Sequence, residues 1–432
     1  MGLPTVTIVT TEFHSLAKLV SKNLGAPDLC LVVVPHPIGG ISQEKVEQKV
    51  DAAFPDLFKT TTHWKSEARG LALSRGYAKR IRFTGSYSDL NRWFFEQGLS
   101  LGLPIVPPTT QAVEAMLRGS SHKAGEVVWE SVPPRMGFLT VEAVAICAVM
   151  AGCKPEYMPV LLAAMEAFKQ TESQWAHMQV TTGTESPLIL VNGPIIRELD
   201  ALGETLGIAY STGAAGPGHL ANVSIGYATG LISYVVGGSK PGVHAMSTLG
   251  SPAETVACVF AENETALPPG WSSYATGKGF RSDDSVVSVK VTYPAVDVSD
   301  HNSTNAVQHL NYWAHNINFP YTLIMPPNAL VALSPEHAQL LASEGWTKEK
   351  IRQYLWEKAQ YPYDAIPPSN NSMTRLPEWF VEQYGPITGN TMIPITEKPE
   401  GIEIIVAGGP GKHSQFFYGG RKMISISINP WR

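Results

Sequence analysis

Two apolar runs near the start of the chain limit its fold more than any other feature. Thr5 to Val9 (TVTIV) is β-branched and breaks at Thr10-Thr11-Glu12. Phe13, Leu16, Val20 and Leu24 then follow at helical spacing until Gly25 and Pro27 stop the pattern. Leu29 to Val34 is a second unbroken run, ending in Pro35-His36-Pro37-Ile38-Gly39-Gly40. Strands apolar at every position belong to sheets covered on both faces, so the two runs predict parallel neighbours joined by a right-handed crossover helix. Ligands of such open sheets collect at the carboxyl ends of the strands, where helix N-termini also offer unpaired N–H groups. Thr10, Thr11, Glu12, His36 and the Gly39-Gly40 turn all fall on that edge. A parallel sheet whose first strand starts at residue 5 and whose second follows directly is half a domain. Its other strands must come from later in this chain or from another one.

A chain of 432 residues can bury a sizeable core, and its length suggests two or three domains. A net charge of −5, with no basic cluster interleaved with aromatics, argues against nucleic acid as a partner. No apolar run approaches the roughly 20 residues of a membrane helix. Met1 leads directly into strand-like sequence, so no signal peptide is expected and the protein reads as cytoplasmic. The four cysteines, Cys30, Cys147, Cys153 and Cys258, form no C-x-x-C pair, which argues against structural zinc and a disulfide framework.

Ser42 can cap a helix to about Phe54 with Val46 and Val50 inward. Pro55 to Gly85 is basic and weakly periodic, a linker or a surface that grips a neighbour, with a solvated positive face as the plainer reading. A second module opens near Ser88 with helices over Ser88–Gln97 and from Thr109 or Thr110 to Arg118, separated by the proline-punctuated Gly98–Pro108. Two apolar helices follow between Thr140 and Phe168. Their turn places Cys153 beside a helix N-terminus, where a thiol pKa can fall, although a small buried residue is the plainer reading.

Pro187 to Asn192 is a third continuous apolar strand, closed by Gly193-Pro194. The glycine-rich stretch Tyr210 to Gly218, with Gly216 and Gly218, runs into a helix over His219–Val236 and can offer backbone N–H groups to a phosphate or carboxylate, though no nucleotide fingerprint is present. A strand over Glu254–Phe260 leads to Ala261-Glu262-Asn263-Glu264, whose carboxylates suit proton transfer or, equally, a solvated turn. Val286–Val291 reads as a half-exposed strand, Asp297–His301 as a polar loop, and Asn305–His315 as a helix. His301, His309 and His315 make no metal signature. Further strands are expected at Tyr321–Met325, Ile402–Val406 and Met423–Ile428, helices behind the caps Ser334 and Thr347, and an extended wrap over Tyr361–Lys398. An apolar strand followed by a Pro/Gly loop with one polar residue recurs at His36, Asn192, Asn328 and Lys412 or His413, without a fixed period.

Gly2 to Phe13 (GLPTVTIVTTEF) with Val33 to Gly40 (VVPHPIGG) resembles the family of thiol proteins and selenoproteins named after a Sec-Gly-Ser-Cys or Cys-Gly-Ser-Cys motif. The second module resembles the domain that often accompanies it, through Gly102–Pro108 (GLPIVPP), Met150–Tyr157 (MAGCKPEY), Val191–Pro194 (VNGP), Ala261–Glu264 (AENE) and Ala407–Gly411 (AGGPG). Together these cover most of the chain. No Cys-Gly-Ser-Cys occurs in it, whereas in the resembling proteins that motif lies on a strand-to-helix turn just upstream of the segment equivalent to Leu3–Val9. The arrangement is also similar to the selenoprotein subunit of glycine and betaine reductases.

The resemblance implies a split enzyme. Residues 1–84 are a partial Rossmann-like parallel sheet with a basic linker, completed by a small Cys-Gly-Ser-Cys-bearing partner subunit. Residues 85–432 are a larger mixed α/β companion domain. The expected reaction is thiol- or selenol-dependent reductive cleavage or carbon–sulfur bond chemistry on a small molecule. An external thiol reductant is a fitting co-reactant; no cofactor is assigned and a metal stays open. His36, Glu12 and Cys153 are the catalytic candidates, His36 being the base because imidazole deprotonates a thiol near neutral pH. Thr10, Thr11, Gly39, Gly40, Asn192, Gly193, Gly216, Gly218, Glu262 and Asn263 are the binding candidates. The competing readings are a turn-shaping His36 bonded to backbone, a non-catalytic scaffold subunit, and a self-sufficient hydratase or lyase using Glu262 and Glu264 with or without a metal.

Overall fold

A computed structural model describes residues 6–23, 27–39, 41–63, 80–203, 206–211, 219–242, 244–318, 328–365, 381–382 and 385–432. The chain is mixed α/β throughout. Among the described residues no helix is long and apolar enough to cross a membrane.

The N-terminal unit consists of β1 (Thr7–Thr10), α1 (His14–Asn23), β2 (Leu31–Val34) and α2 (Gln43–His63). The strands are parallel, with Thr7 opposite Leu31 and Thr10 opposite Val34, and α1 makes the connection that the two apolar runs predict. Coverage differs from the expectation. Cys30, Val32 and Val34 are buried, but Ile8, in register with Val32, is 55% exposed and Val33, on the opposite face, 39%, so neither face of this pair is fully covered. Helix α2 also runs further than expected, through Pro55 to His63, which makes the start of the predicted linker helical. Val50 does not point inward: with Phe54 and Phe58 it forms a stripe at four-residue spacing that is 56–60% exposed. Lys65, Arg69, Arg75 and Lys79 of the basic stretch lie outside the described residues; Arg80 reaches the second module, donating to Thr110 Oγ1 (3.2 Å) and pairing with Glu142 (3.5 Å).

The second module opens with α3 (Tyr87–Glu96), capped by Ser86, and α4 (Thr110–Leu117), capped by Thr109. A hairpin that sequence reasoning missed, β3 (Val127–Val132) and β4 (Gly137–Thr140), precedes α5 (Val141–Met150), α6 (Met158–Gln170) and α7 (Glu172–Val180). Then come β5 (Ser186–Asn192), α8 (Ile195–Asp200), α9 (Leu220–Leu231), which continues as a wider π turn to Val236, β6 (Cys258–Ala261), α10 (Tyr274–Gly277), β7 (Val286–Thr292) and β8 (Val296–Ser299). The chain ends with α11 (Ala306–Ile317), β9 (Ala329–Leu333), α12 (Pro335–Ser343), α13 (Lys348–Lys358), the pair β10 (Gln360–Pro362) and β11 (Met392–Pro394), then β12 (Ile402–Val406), β13 (His413–Phe417) and β14 (Ile424–Ser427). The strand expected at Tyr321–Met325 lies outside the described residues, as does the middle of the Tyr361–Lys398 segment.

Two four-stranded sheets, ordered β14-β7-β5-β6 and β12-β9-β13-β8, stack face to face. Leu188, Leu190 and Phe260 of the first meet Leu330, Ala332, Ile405 and Phe417 of the second. Helices α5, α6 and α9 cover the outer face of the first sheet, and α11, α12 and α13 that of the second, giving four layers. Each sheet has the same plan: a parallel pair (β5 with β6, β9 with β12), then two antiparallel strands. The chain crosses between the sheets twice, since β8 directly follows β7 yet opens the second sheet, and β14 follows β13 yet returns to the first, so the second sheet is one continuous run, β8 to β13, inserted between β7 and β14. The two crossings touch: Tyr293 and Tyr418 stack at 5.2 Å with planes 5° apart, and Tyr293 N donates to Tyr418 O.

This stacking corrects two expectations. Val286–Thr292 is buried at every position, not half-exposed, because its polar face is turned toward the other sheet; Thr292 donates to Tyr418 O at the crossing (2.8 Å), and Ser288 bonds Ser425 of β14 within its own sheet (2.8 Å). Asp297–His301 is not a loop throughout, since β8 pairs with β13 there. Lys290, on the same inner face, donates to the carbonyls of Asn328 (3.1 Å) and Arg421 (2.7 Å), and burial lowers its ammonium to about 8.

That burial sets a pH dependence. Below about 8 both folded and unfolded chains hold the Lys290 proton; between about 8 and the ordinary value near 10.4 only the unfolded chain does, so stability rises with pH across that window by up to about 3 kcal/mol. Urea unfolding at about pH 7 and about pH 10 is expected to show the rise, and Lys290→Met to flatten it.

Candidate functional site

The carboxyl ends of β1 and β2 bring Thr10, Thr11 and His36 together. His36 Nδ1 lies 3.1 Å from Thr10 Oγ1, and His36 N donates to Thr11 Oγ1 at 3.2 Å. The ring thus takes its orientation from a side chain, not from the backbone bond of the turn-shaping alternative. It is exposed, packs at 5.9 Å from the Phe13 ring, and has no partner at Nε2 among the described residues. Lys49 of α2, which sequence reasoning missed, donates to Pro35 O (3.0 Å) and Pro37 O (2.7 Å) and so pins both flanks of His36. Glu12 and Gly39 are exposed beside this edge, while Gly40 lies outside the described residues. A histidine oriented through Nδ1 with a free Nε2 is arranged as a general base.

A second locus forms where β5, β6 and β12 end. Asn192 donates through Nδ2 to Glu262 (2.7 Å) and Glu264 (2.9 Å), and Gly193 N donates to Glu264 (3.0 Å). Gly193 has φ 88°, and a Cβ there would stand 2.1 Å from Asp284 O, so only glycine fits. Asn263 N donates to Val406 O (2.8 Å) and its Nδ2 to Gly408 O (3.0 Å), lacing this loop to Ala407–Gly411. Three of the sequence motifs, VNGP, AENE and AGGPG, therefore meet at one place.

Glu262 is fully buried, not part of a solvated turn. Besides Asn192 it accepts from Tyr274 N, Val406 N (3.4 Å) and Lys348 Nζ (3.5 Å). Burial pushes its carboxyl up and the Lys348 ammonium down, each charge opposing the other's shift. Lys348, first residue of α13, reads in sequence as an exposed helix start, so nothing local marks it. Glu264 is the more accessible carboxylate, and the donors of Asn192 and Gly193, expected to serve a ligand, are already spent on it and Glu262. Asn192 Oδ1 is left buried without a partner.

Cys153 is buried and its thiol is pushed up to about 12, the opposite of the lowering expected beside a helix N-terminus, because desolvation outweighs the dipole. Cys147 is likewise held at about 12, and burial raises Cys30 and Cys258. Gly216 and Gly218 lie outside the described residues. Thr10, Thr11 and His36 share no hydrogen bond with the second locus among the described residues. No curated protein and no solved structure matches the chain. Residues 1–63, which hold the Thr10–His36 edge and none of the second locus, match the model of the UGSC family.

Proposed function

We propose that this chain is the large subunit of a heteromeric thiol-dependent enzyme, in which a second polypeptide brings a Cys-Gly-Ser-Cys or Sec-Gly-Ser-Cys turn to the edge formed by Thr10, Thr11 and His36. The observation that carries this reading is a parallel sheet of only two strands with an apolar side chain left exposed on each face, Ile8 on one and Val33 on the other, beside an exposed and oriented histidine. Burial raises the thiols of all four of the chain's own cysteines, which favours a thiolate brought from elsewhere. The partner's thiol gives its proton to His36 Nε2, and Thr11, Glu12 and Gly39 line the space around the reacting sulfur or selenium. The substrate is a small molecule, either altered at a carbon–sulfur bond or cleaved reductively with two electrons from an external thiol that is oxidised to its disulfide. A self-sufficient hydratase or lyase draws less support, since Glu262 is sealed from solvent.

Co-expression with a short Cys-Gly-Ser-Cys-bearing chain tests the proposal. The expected result is a stoichiometric complex that is active where each chain alone is not, and that Ile8→Glu abolishes. Activity of this chain alone, or a complex indifferent to Ile8→Glu, would overturn it.

A further inference from the structure

The edge of the second sheet carries an arrangement apart from both loci. His413 opens β13, His301 lies just beyond β8, and their Nε2 atoms are 3.2 Å apart with ring planes at 73°. Both side chains are exposed. On the far side of the His413 ring, Nδ1 lies 3.0 and 3.2 Å from the two carboxylate oxygens of Asp297. A carboxylate only accepts, so Nδ1 carries the proton of neutral His413 and its Nε2 lone pair faces His301.

We propose that His301 and His413 chelate one divalent transition-metal ion through their Nε2 atoms, with Asp297 orienting His413 from behind and water completing the coordination. Metal–imidazole bonds are about 2.0–2.1 Å long, and two of them meeting at about 90–110° hold their nitrogens about 2.9–3.4 Å apart. The observed 3.2 Å lies within that span. Imidazole pairs suit zinc, copper or nickel, not magnesium or calcium, and a carboxylate behind a ligating histidine is the usual outer partner of such a site. Among the described residues no group of three or more histidine, cysteine or acidic side chains converges to hold a metal, so this is an open site of two protein ligands suited to an exchangeable ion. Lys412, which donates to His301 O at 3.4 Å, is the neighbouring cation that holds the affinity down.

The competing account of the same 3.2 Å contact is a bare N–H···N hydrogen bond between neutral rings. Titration of the full-length, tag-free, chelator-stripped protein with Zn2+ by calorimetry, and with Cu2+ by electron paramagnetic resonance, separates the two. The proposal expects one ion per chain with two nitrogen ligands, a loss of affinity of about tenfold or more in His301→Ala and in His413→Ala, and a loss of about 10- to 100-fold in Asp297→Asn. It also expects Zn2+ to raise the melting temperature of the wild type but not of the double variant. Absence of binding, or affinities unchanged in both histidine variants, would leave only the hydrogen bond.

Discussion

Replacing His36 by alanine is expected to lower the turnover of the assembled enzyme by about 10²- to 10⁴-fold, the usual worth of a positioned general base. The ring is exposed and, among the described residues, packs only against Phe13, so assembly with the partner chain should survive the change. Its orientation comes from Thr10 and its loop is held by Lys49. Thr10→Val should therefore lower turnover less than loss of the ring does, and added imidazole should restore part of the activity of His36→Ala but none in Thr10→Val. Steady-state kinetics of the purified complex reads this out. A scaffold subunit predicts unaltered kcat in both variants, and that outcome would remove His36 from the chemistry.

Replacing Glu262 by alanine is expected to cost about 3–5 kcal/mol of stability, the usual penalty for breaking a buried charge pair from one side. The carboxylate accepts from Asn192, Tyr274 N, Val406 N and Lys348, and all four lose that acceptor inside the protein, Asn192 keeping only Glu264 and Lys348 only the neutral carbonyl of Ser272. Lys348 is the costliest of them, because its ammonium is then buried with no counter-charge. Glu262→Gln keeps an acceptor oxygen for Asn192 and Tyr274 and should cost less. Denaturant unfolding of the three proteins checks the order, and a loss below about 1 kcal/mol in Glu262→Ala would show that the hub is not what holds the loops together.

What the sequence makes legible is local. The β1–β2 pair follows from unbroken β-branched runs, and Thr109, Ser334 and Thr347 cap the helices whose starts they mark. What it hides depends on distant partners. Ser288, Lys290 and Thr292 alternate as on a half-wet strand, and the groups that satisfy them, the Ser425 hydroxyl and the carbonyls of Asn328, Tyr418 and Arg421, lie far along the chain. Glu262 looks solvated because the residue that neutralises it is Lys348. Cys153 does sit near a helix start, but its burial comes from tertiary packing that the local sequence does not show. At the candidate site the edge residues are readable one by one, whereas the clamp from Lys49 needs α2 folded back over the loop.

The return of β14 to the first sheet makes the second lobe a single insertion, entered and left side by side at Tyr293 and Tyr418. Excising it at that doorway would take β8 to β13 away as one piece and leave the first sheet its four strands, but it would lay bare the Leu188, Leu190 and Phe260 face that the two sheets hide between them.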